Sequence, residues 1–161
     1  VCIGVDPSSV KMALAITSPV GEDFQVWRLP KGKSKREACE YVYDNTCLLL
    51  KAFPDAHIFY EAPVGVAGRG GFNAVIPQAI VGGAFMAACR GAQLTLVENT
   101  KWKYRVLNYG KPSKDYLRTR LETRWPSAYK ACLTARGKID GDLVDASWIN
   151  VYGRLTLRDG V

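Results

Sequence analysis

Two apolar runs open the chain, Val1 to Val5 and Val10 to Ile16, separated only by Asp6-Pro7-Ser8-Ser9. Both are rich in β-branched residues and the segment between them is turn-forming, so the pattern predicts two strands joined by a tight turn. Gly21-Glu22-Asp23 makes the next turn and Phe24 to Leu29 a third strand, which together give an antiparallel meander. The period then changes. Ser34-Lys35-Arg36-Glu37 has the form of a capping box, and Ala38, Tyr41, Val42, Leu48, Leu49 and Ala52 follow at helical spacing until Pro54-Asp55. Ala56 to Tyr60 reads as a fourth strand that delivers Glu61 at its end.

The second half continues the alternation. Gly65 to Phe72 is Gly-rich and reads as a flexible loop. A long apolar segment from about Ile76 to Cys89 follows as a helix, with Pro77 expected in its first turn and Gly82, Gly83 and Ala84 letting it lie close on a sheet. Gln93 to Val97 is a fifth strand. Thr100 is expected to cap a helix ending near Asn108-Tyr109-Gly110, with Gly110 suited to the left-handed end position. Ser113 caps the next helix, closed by Trp125-Pro126, and residues 126 to 139 form a loop or a short helical turn. Asp140 to Gly153 is the last helix, with Leu143, Val144, Ala146, Trp148 and Ile149 as its apolar content.

At 161 residues, 48% hydrophobic and 23% charged, the chain suffices for one core and is too short for two ordinary domains, so 1–161 reads as a single α/β domain. No apolar stretch approaches a bilayer span, so no membrane partner is expected, and the cysteines that follow are what suggest a cytoplasmic location. Five cysteines (Cys2, Cys39, Cys47, Cys89, Cys132) form no Cys-x-x-Cys pair and read as free thiols in a reducing compartment. The one histidine, His57, sits in an apolar strand and reads as structural, so a zinc site has no support.

The net charge of +7 is unevenly spread. Between Lys101 and Lys138 eleven Lys or Arg stand against only Asp115 and Glu122, a local balance of +9 that leaves the rest slightly acidic. Trp102, Tyr104, Tyr109, Tyr116, Trp125 and Tyr129 are interleaved with these cations. That combination suits a nucleic acid, and Lys101, Lys103, Lys111, Lys114 and Arg118 are the candidate DNA contacts. An anionic membrane fits less well, because Gly110, Pro112 and Pro126 interrupt any long amphipathic helix.

Carboxylates fall at awkward places. Asp6 ends an apolar strand, Glu61 ends another, and Asp142 and Asp145 share a helix face three residues apart. Singly, each has an ordinary reading: Asp6 shaping the turn before Pro7, Glu61 at an exposed strand end, Asp142 and Asp145 complementing a helix dipole. Taken together they suggest a cluster. Carboxylates about 4 Å apart repel by roughly 4 kcal/mol at an effective dielectric of 20, so such a cluster calls for raised pKa values or for hard divalent cations such as Mg²⁺ or Mn²⁺. Two such ions could activate a water and stabilise the leaving oxygen of a phosphodiester.

Ile3-Gly4-Val5-Asp6-Pro7-Ser8, the strand-end Glu61, Lys103 with Asn108-Tyr109-Gly110-Lys111 and Lys114, and Asp142-Leu143-Val144-Asp145-Ala146 resemble, in order and spacing, the RuvC-type Holliday junction resolvases, in a divergent bacterial or phage-type form. The resemblance covers residues 1 to about 153. It implies a ribonuclease H-like fold, a five-stranded mixed sheet with its first three strands antiparallel and helices on both faces. It also implies a homodimer that nicks four-way DNA junctions symmetrically with Mg²⁺, Mn²⁺ substituting. Asp6, Glu61, Asp142 and Asp145 would then be metal ligands, Lys103 and Lys114 would lie near the scissile phosphate, and Lys111 would assist in binding it. Asp140 competes with Asp142 for the ligand role, and Asp142 is preferred because it shares a face with Asp145.

Two places depart from the family pattern. Val64 stands where many members carry an aromatic residue, and the loop with Arg69 and Phe72 is its own. The expectation is that Arg69 meets phosphate and that Phe72 supplies the wedge Val64 cannot, stacking at the branch point. A nuclease of broader taste, cutting other branched DNA or RNA-containing duplexes, and a non-catalytic binding module on the same fold are the alternatives. An ATPase is excluded, since one domain with no second phosphate loop cannot form a two-lobed cleft.

Overall fold

The computed structural model describes residues 1–63 and 71–160, of residues 71–75 the backbone alone. Strands β1 (Cys2–Pro7), β2 (Lys11–Ser18) and β3 (Gly21–Arg28) form the expected meander. Helix α1 (Lys35–Ala52) starts with the Ser34–Glu37 capping box in place, the Ser34 hydroxyl accepting from the Glu37 amide and the Glu37 carboxylate accepting from the Ser34 amide. β4 (His57–Glu61), α2 (Gly71–Ala88), β5 (Gln93–Val97), α3 (Asn99–Leu107), α4 (Lys114–Arg124), α5 (Pro126–Ala131) and α6 (Gly141–Asp159) follow. The sheet order is β3-β2-β1-β4-β5, with β4 parallel to both β1 and β5. This is the mixed five-stranded α/β sheet expected from the sequence.

β1 is buried on both faces, and its alternation divides the core. Ile3 and Val5 point toward α1 and α2, into a cluster with Leu14, Ile58, Tyr60 and Phe85. Cys2 points the other way, where Phe59, Trp102, Leu117, Leu121 and Trp148 join α3 to α6 against the sheet. Each fully buried side chain of this size contributes about 1.5–3 kcal/mol. Gly82 and Gly4 set the closeness of the two layers. A Cβ on Gly82 would collide with the Tyr60 hydroxyl under α2, and one on Gly4 with the Ala146 carbonyl and Asn150 amide of α6. Gly83, by contrast, faces open space.

Several boundaries differ from the sequence reading. β3 begins at Gly21, because the meander's register runs to the Ser18–Gly21 pair. α2 begins at Gly71, so Phe72 lies in its first turn and Pro77 in its interior, where the Asn73 carbonyl loses its usual donor. The α3 cap is Glu98, not Thr100: the Lys101 and Trp102 amides donate to the Glu98 carbonyl, which places Asn99 and Thr100 inside the helix. At its other end Asn108, with φ 55°, takes the left-handed position expected of Gly110. Gly110 instead lies against the exposed Tyr104 ring, which a Cβ there would displace. α6 runs on to Asp159 because Leu155 still packs on the core and Gly160 supplies the left-handed cap. Residues 126 to 139 hold α5 and a tight turn closed by the Leu133–Ile139 bridge.

His57 is structural, as its strand position suggested: Nε2 pairs with the Thr95 hydroxyl at 2.8 Å and the ring stacks on Phe59. All five cysteines are free, and burial pushes the Cys2, Cys89 and Cys132 thiols up to about 12. Among the described residues no helix is long and apolar enough to cross a membrane.

Candidate active site

The pairing brings one set of strand ends to a single edge of the sheet. β1, β4 and β5 finish there, β2 starts there and β3 finishes there. Val5 pairs with Tyr60, so Asp6 and Glu61 are the next residues along neighbouring parallel strands, both on the α6 face. Both are buried, with 8% of their surface exposed. Burial first, then the charges of Glu61 and Asp145, hold the Asp6 carboxyl well above the usual carboxylate range, and its side chain is within hydrogen-bonding reach of Glu61.

α6 supplies the remaining acids. Asn150 anchors it, donating from Nδ2 to the Cys2 and Ala15 carbonyls at 2.8 Å and accepting from Thr17 at 2.9 Å. With Gly4 leaving no side chain between strand and helix, the first turns of α6 come to rest beside the end of β1. Burial and the Glu61 charge push Asp145 up to about 7, while Lys103 and Lys114 pull it the other way. Asp142 raises both neighbours less strongly. It also lies 3.3 Å from the Lys11 ammonium. Asp140 is committed elsewhere: it caps α6 by accepting from the Asp142 and Leu143 amides and pairs with Lys11 at 2.6 Å. Capping thus occupies Asp140, while Asp142 keeps only the Lys11 ion pair.

Asn99, Trp102 and Lys11 escaped the sequence reading. Asn99 Nδ2 and Trp102 Nε1 both donate to Glu61 Oε1, the latter at 3.1 Å, and Asn99 Oδ1 accepts from Lys103 at 2.6 Å. Asn99, Trp102 and Lys103 sit at i, i+3 and i+4 on α3 and so share a face, the one turned to the carboxylates. That spacing is visible in the sequence, but it carries meaning only once β5 is known to lie beside β4. The Lys103 ammonium also stands over the Trp102 ring, 4.9 Å from its centroid.

Of the expected DNA contacts, Lys103 and Lys114 come together with the acids. Lys101 is two residues from Lys103, about 200° round the helix, and pairs with Glu98 at 2.8 Å. Arg118 pairs with Asp115 at 3.1 Å, and Lys111 is exposed on the α3–α4 connection. Val64 and Arg69 lie outside the described residues, as does the side chain of Phe72.

The four carboxylates suit a divalent cation by their chemistry. Asp6, Glu61, Asp142 and Asp145 offer only hard oxygens, and burial first and the Glu61 charge second raise the carboxyls of two of them, Asp6 and Asp145. That is the environment a hard cation relieves. Among the described residues no three metal-type donors stand around one point, Asp142 being turned to Lys11. The residues fit Mg²⁺ in the kind of donor they offer.

No family model matches the sequence, and no curated protein matches it. Solved structures do. Thermus thermophilus RuvC in complex with a Holliday junction substrate superposes with a TM-score of 0.76 at 13% identity, over 99% of this chain and 95% of that one. A second T. thermophilus RuvC structure gives 0.74 at 13%, over 99% and 96%. The yeast mitochondrial Holliday junction resolvase gives 0.62 at 10%, over 98% and 80%. The chain therefore has the fold of RuvC-type resolvases along nearly its whole length, as the sequence resemblance implied.

Proposed function

We propose that this chain is a metal-dependent endonuclease that resolves four-way DNA junctions by paired, symmetric phosphodiester hydrolysis. The observation that carries the reading is the meeting of Asp6, Glu61 and Asp145 at one sheet edge, where burial first and the Glu61 charge second raise the Asp6 and Asp145 carboxyls, with Lys103 and Lys114 close enough to offset Asp145. The shared fold with a RuvC bound to its junction substrate supports it.

Asp6, Glu61, Asp142 and Asp145 would hold Mg²⁺, with Mn²⁺ able to substitute. When bound, the cation would activate water and stabilise the leaving oxygen. Asn99 and Trp102 fix the rotamer of Glu61, so that its second oxygen is aimed rather than searching. Lys103, oriented by Asn99, and Lys114 offset charge that develops on the phosphate in the transition state. Lys101, Lys111 and Arg118 bind phosphates further out, and the sequence expectation that Arg69 meets phosphate and Phe72 stacks at the branch point belongs to the same proposal. A homodimer matches the two equivalent strands of a four-way junction, and the exposed Ile76 and Ile80 on α2 supply apolar surface for it.

Labelled four-way junction, fork, flap and linear duplex, incubated with Mg²⁺ or EDTA, test the reading. The wild type is expected to cut the junction in Mg²⁺ only, and Asp6→Asn to bind it uncut. Binding without cutting in Mg²⁺ or Mn²⁺ would leave a binding module in its place.

A further inference from the structure

A groove of about 370 Å³ opens where the β1–β2 turn meets the β3–α1 connection and α2. Its rim carries Lys11, Arg28, Lys31, Lys33 and Lys35, and its lining contains no Asp or Glu. These cations lie outside the basic block of residues 101 to 138. Lys33 pairs with Glu37 and Lys11 with Asp140 and Asp142, whereas among the described residues Arg28, Lys31 and Lys35 have no carboxylate partner. The helix end behind the groove is not the attraction, because the Ser34–Glu37 box already occupies its capping donors. Three uncompensated cations on one rim are what remain.

Position decides what they meet. Arg28 ends β3 and Lys11 begins β2, at the same sheet edge where Asp6 and Glu61 end β1 and β4 and where Asn99 and Lys103 follow β5. Neighbouring strands lie about 4.8 Å apart, so the edge spans about 19 Å from β3 to β5, roughly five to six nucleotide steps of duplex rise. Lys103 and Lys114 stand with the acids on the α6 side of this edge, and Arg28, which alternates with Phe24 and Val26, ends β3 on that same side, whereas Lys31 and Lys35 sit where the β3–α1 connection carries the groove over to the α1 and α2 side. A DNA backbone that crosses the acids and turns round the β2–β3 end of the edge at Arg28 would reach Lys31 and Lys35.

We infer that the β3–α1 groove is a second phosphate-binding surface, which takes the backbone of the DNA on the far side of the cleavage site. It rests on the nuclease reading above and extends it, because it assigns phosphate binding to residues outside the basic block. Phosphates seated there would hold the duplex across the carboxylates from both ends, so the groove sets register as well as affinity.

Junction binding is measured in EDTA as a function of salt, for the wild type and for the triple variant Arg28→Ala, Lys31→Ala, Lys35→Ala. Removing one cation from its phosphate lowers the slope of log Kobs against log salt by about 0.9, so the triple variant's slope should be shallower by roughly 2 to 3. Its thermal unfolding should match the wild type, which separates weaker phosphate binding from a damaged fold. Lys31→Arg and Lys35→Arg should keep the full slope. A wild type that fails to bind junctions sinks the nuclease reading itself; a wild type that binds with a slope the triple variant retains overturns the groove alone. An acidic, Phe-containing fluorescent peptide is the competing probe, for the groove floor includes Leu29, Ile80 and Val81. If that peptide binds the wild type, the triple variant fails to bind it and junction binding is unmoved, the groove belongs to a protein partner and the inference is wrong.

Discussion

Gly4 and Asn150 face one another so closely that a single methyl group on Gly4 would strike the Asn150 amide. That close approach places α6 on β1, and with it Asp145 beside Asp6 and Glu61. Gly4→Ala therefore overpacks backbone against backbone, where no rotamer can give way. A loss of about 1–3 kcal/mol is expected, or roughly 2–10 °C in Tm for a chain of this size. Cleavage should fall further than stability alone explains, because the helix that carries Asp145 must move. A Tm and activity equal to the wild type would show that the layers separate freely.

Asn99 joins Glu61 to Lys103, and removing it frees both. Asn99→Ala should lower cleavage about tenfold, the equivalent of about 1.4 kcal/mol, through kcat more than through junction affinity. Gel-shift and single-turnover assays on one preparation separate the two. A matching loss of affinity would make Asn99 a DNA contact instead of a positioning residue.

Lys103 and Lys114 should divide from the other cations by the same measurement. Lys103→Ala and Lys114→Ala are expected to reduce cleavage more than binding, while Lys101→Ala, on the opposite side of α3, weakens binding alone. Wild-type junction binding should weaken by roughly 10³ or more between about 50 and 200 mM salt if about six phosphates are neutralised. Equal effects of all three substitutions on both readouts would reduce them to general anchors.

The pH dependence has a fixed sign. Asp145 is raised from 3.8 to about 7 by burial first and the Glu61 charge second, and Asp6 is raised as well. Between about pH 4 and 7 the folded chain binds more protons than the unfolded one, so these groups make stability fall as pH rises through that window. Metal-free protein should therefore melt several degrees lower at about pH 8 than at about pH 5, and Asp145→Asn should remove much of the difference. Mg²⁺ should restore stability at the higher pH. A flat profile in the wild type would show that neither burial nor the Glu61 charge raises these carboxyls.

Much of this site could be read before the fold was known, for a local reason. Asp6 and Glu61 each follow an apolar run and precede a turn, so their place at strand ends depends on neighbours only. Asp142 and Asp145 need only helical spacing. Asn99, Trp102 and Lys11 depend on which strands are adjacent, and no local pattern reports that. The same division explains the boundaries. Ser34 and Ser113 were legible because their caps are built from residues within one turn. Thr100 was misplaced because the turn of chain after β5 is set by β5's pairing with β4, and Gly110 because its lack of a side chain serves the Tyr104 ring rather than a helix end.

Lys11 offers the sharpest test of which acids hold the metal. Its ammonium binds Asp140 at 2.6 Å and Asp142 at 3.3 Å, so it offsets two negative charges beside a cluster that already repels itself. Lys11→Met keeps the length of the side chain and removes the charge. Asp140 retains its capping bonds to the Asp142 and Leu143 amides, so α6 should still start where it does. The metal-free variant should lose about 1–2 kcal/mol at neutral pH, since partly buried carboxylates are left without their cation. The informative quantity is the rise in Tm on adding Mg²⁺. In the wild type a cation that uses Asp142 must compete with Lys11, and in Lys11→Met it does not, so the rise should be larger in the variant. Lys11→Met with Asp142→Asn should return the rise to the wild-type size or below. If Lys11→Met and the wild type gain equally from Mg²⁺, Asp142 serves only to hold Lys11, and the metal rests on Asp6, Glu61 and Asp145.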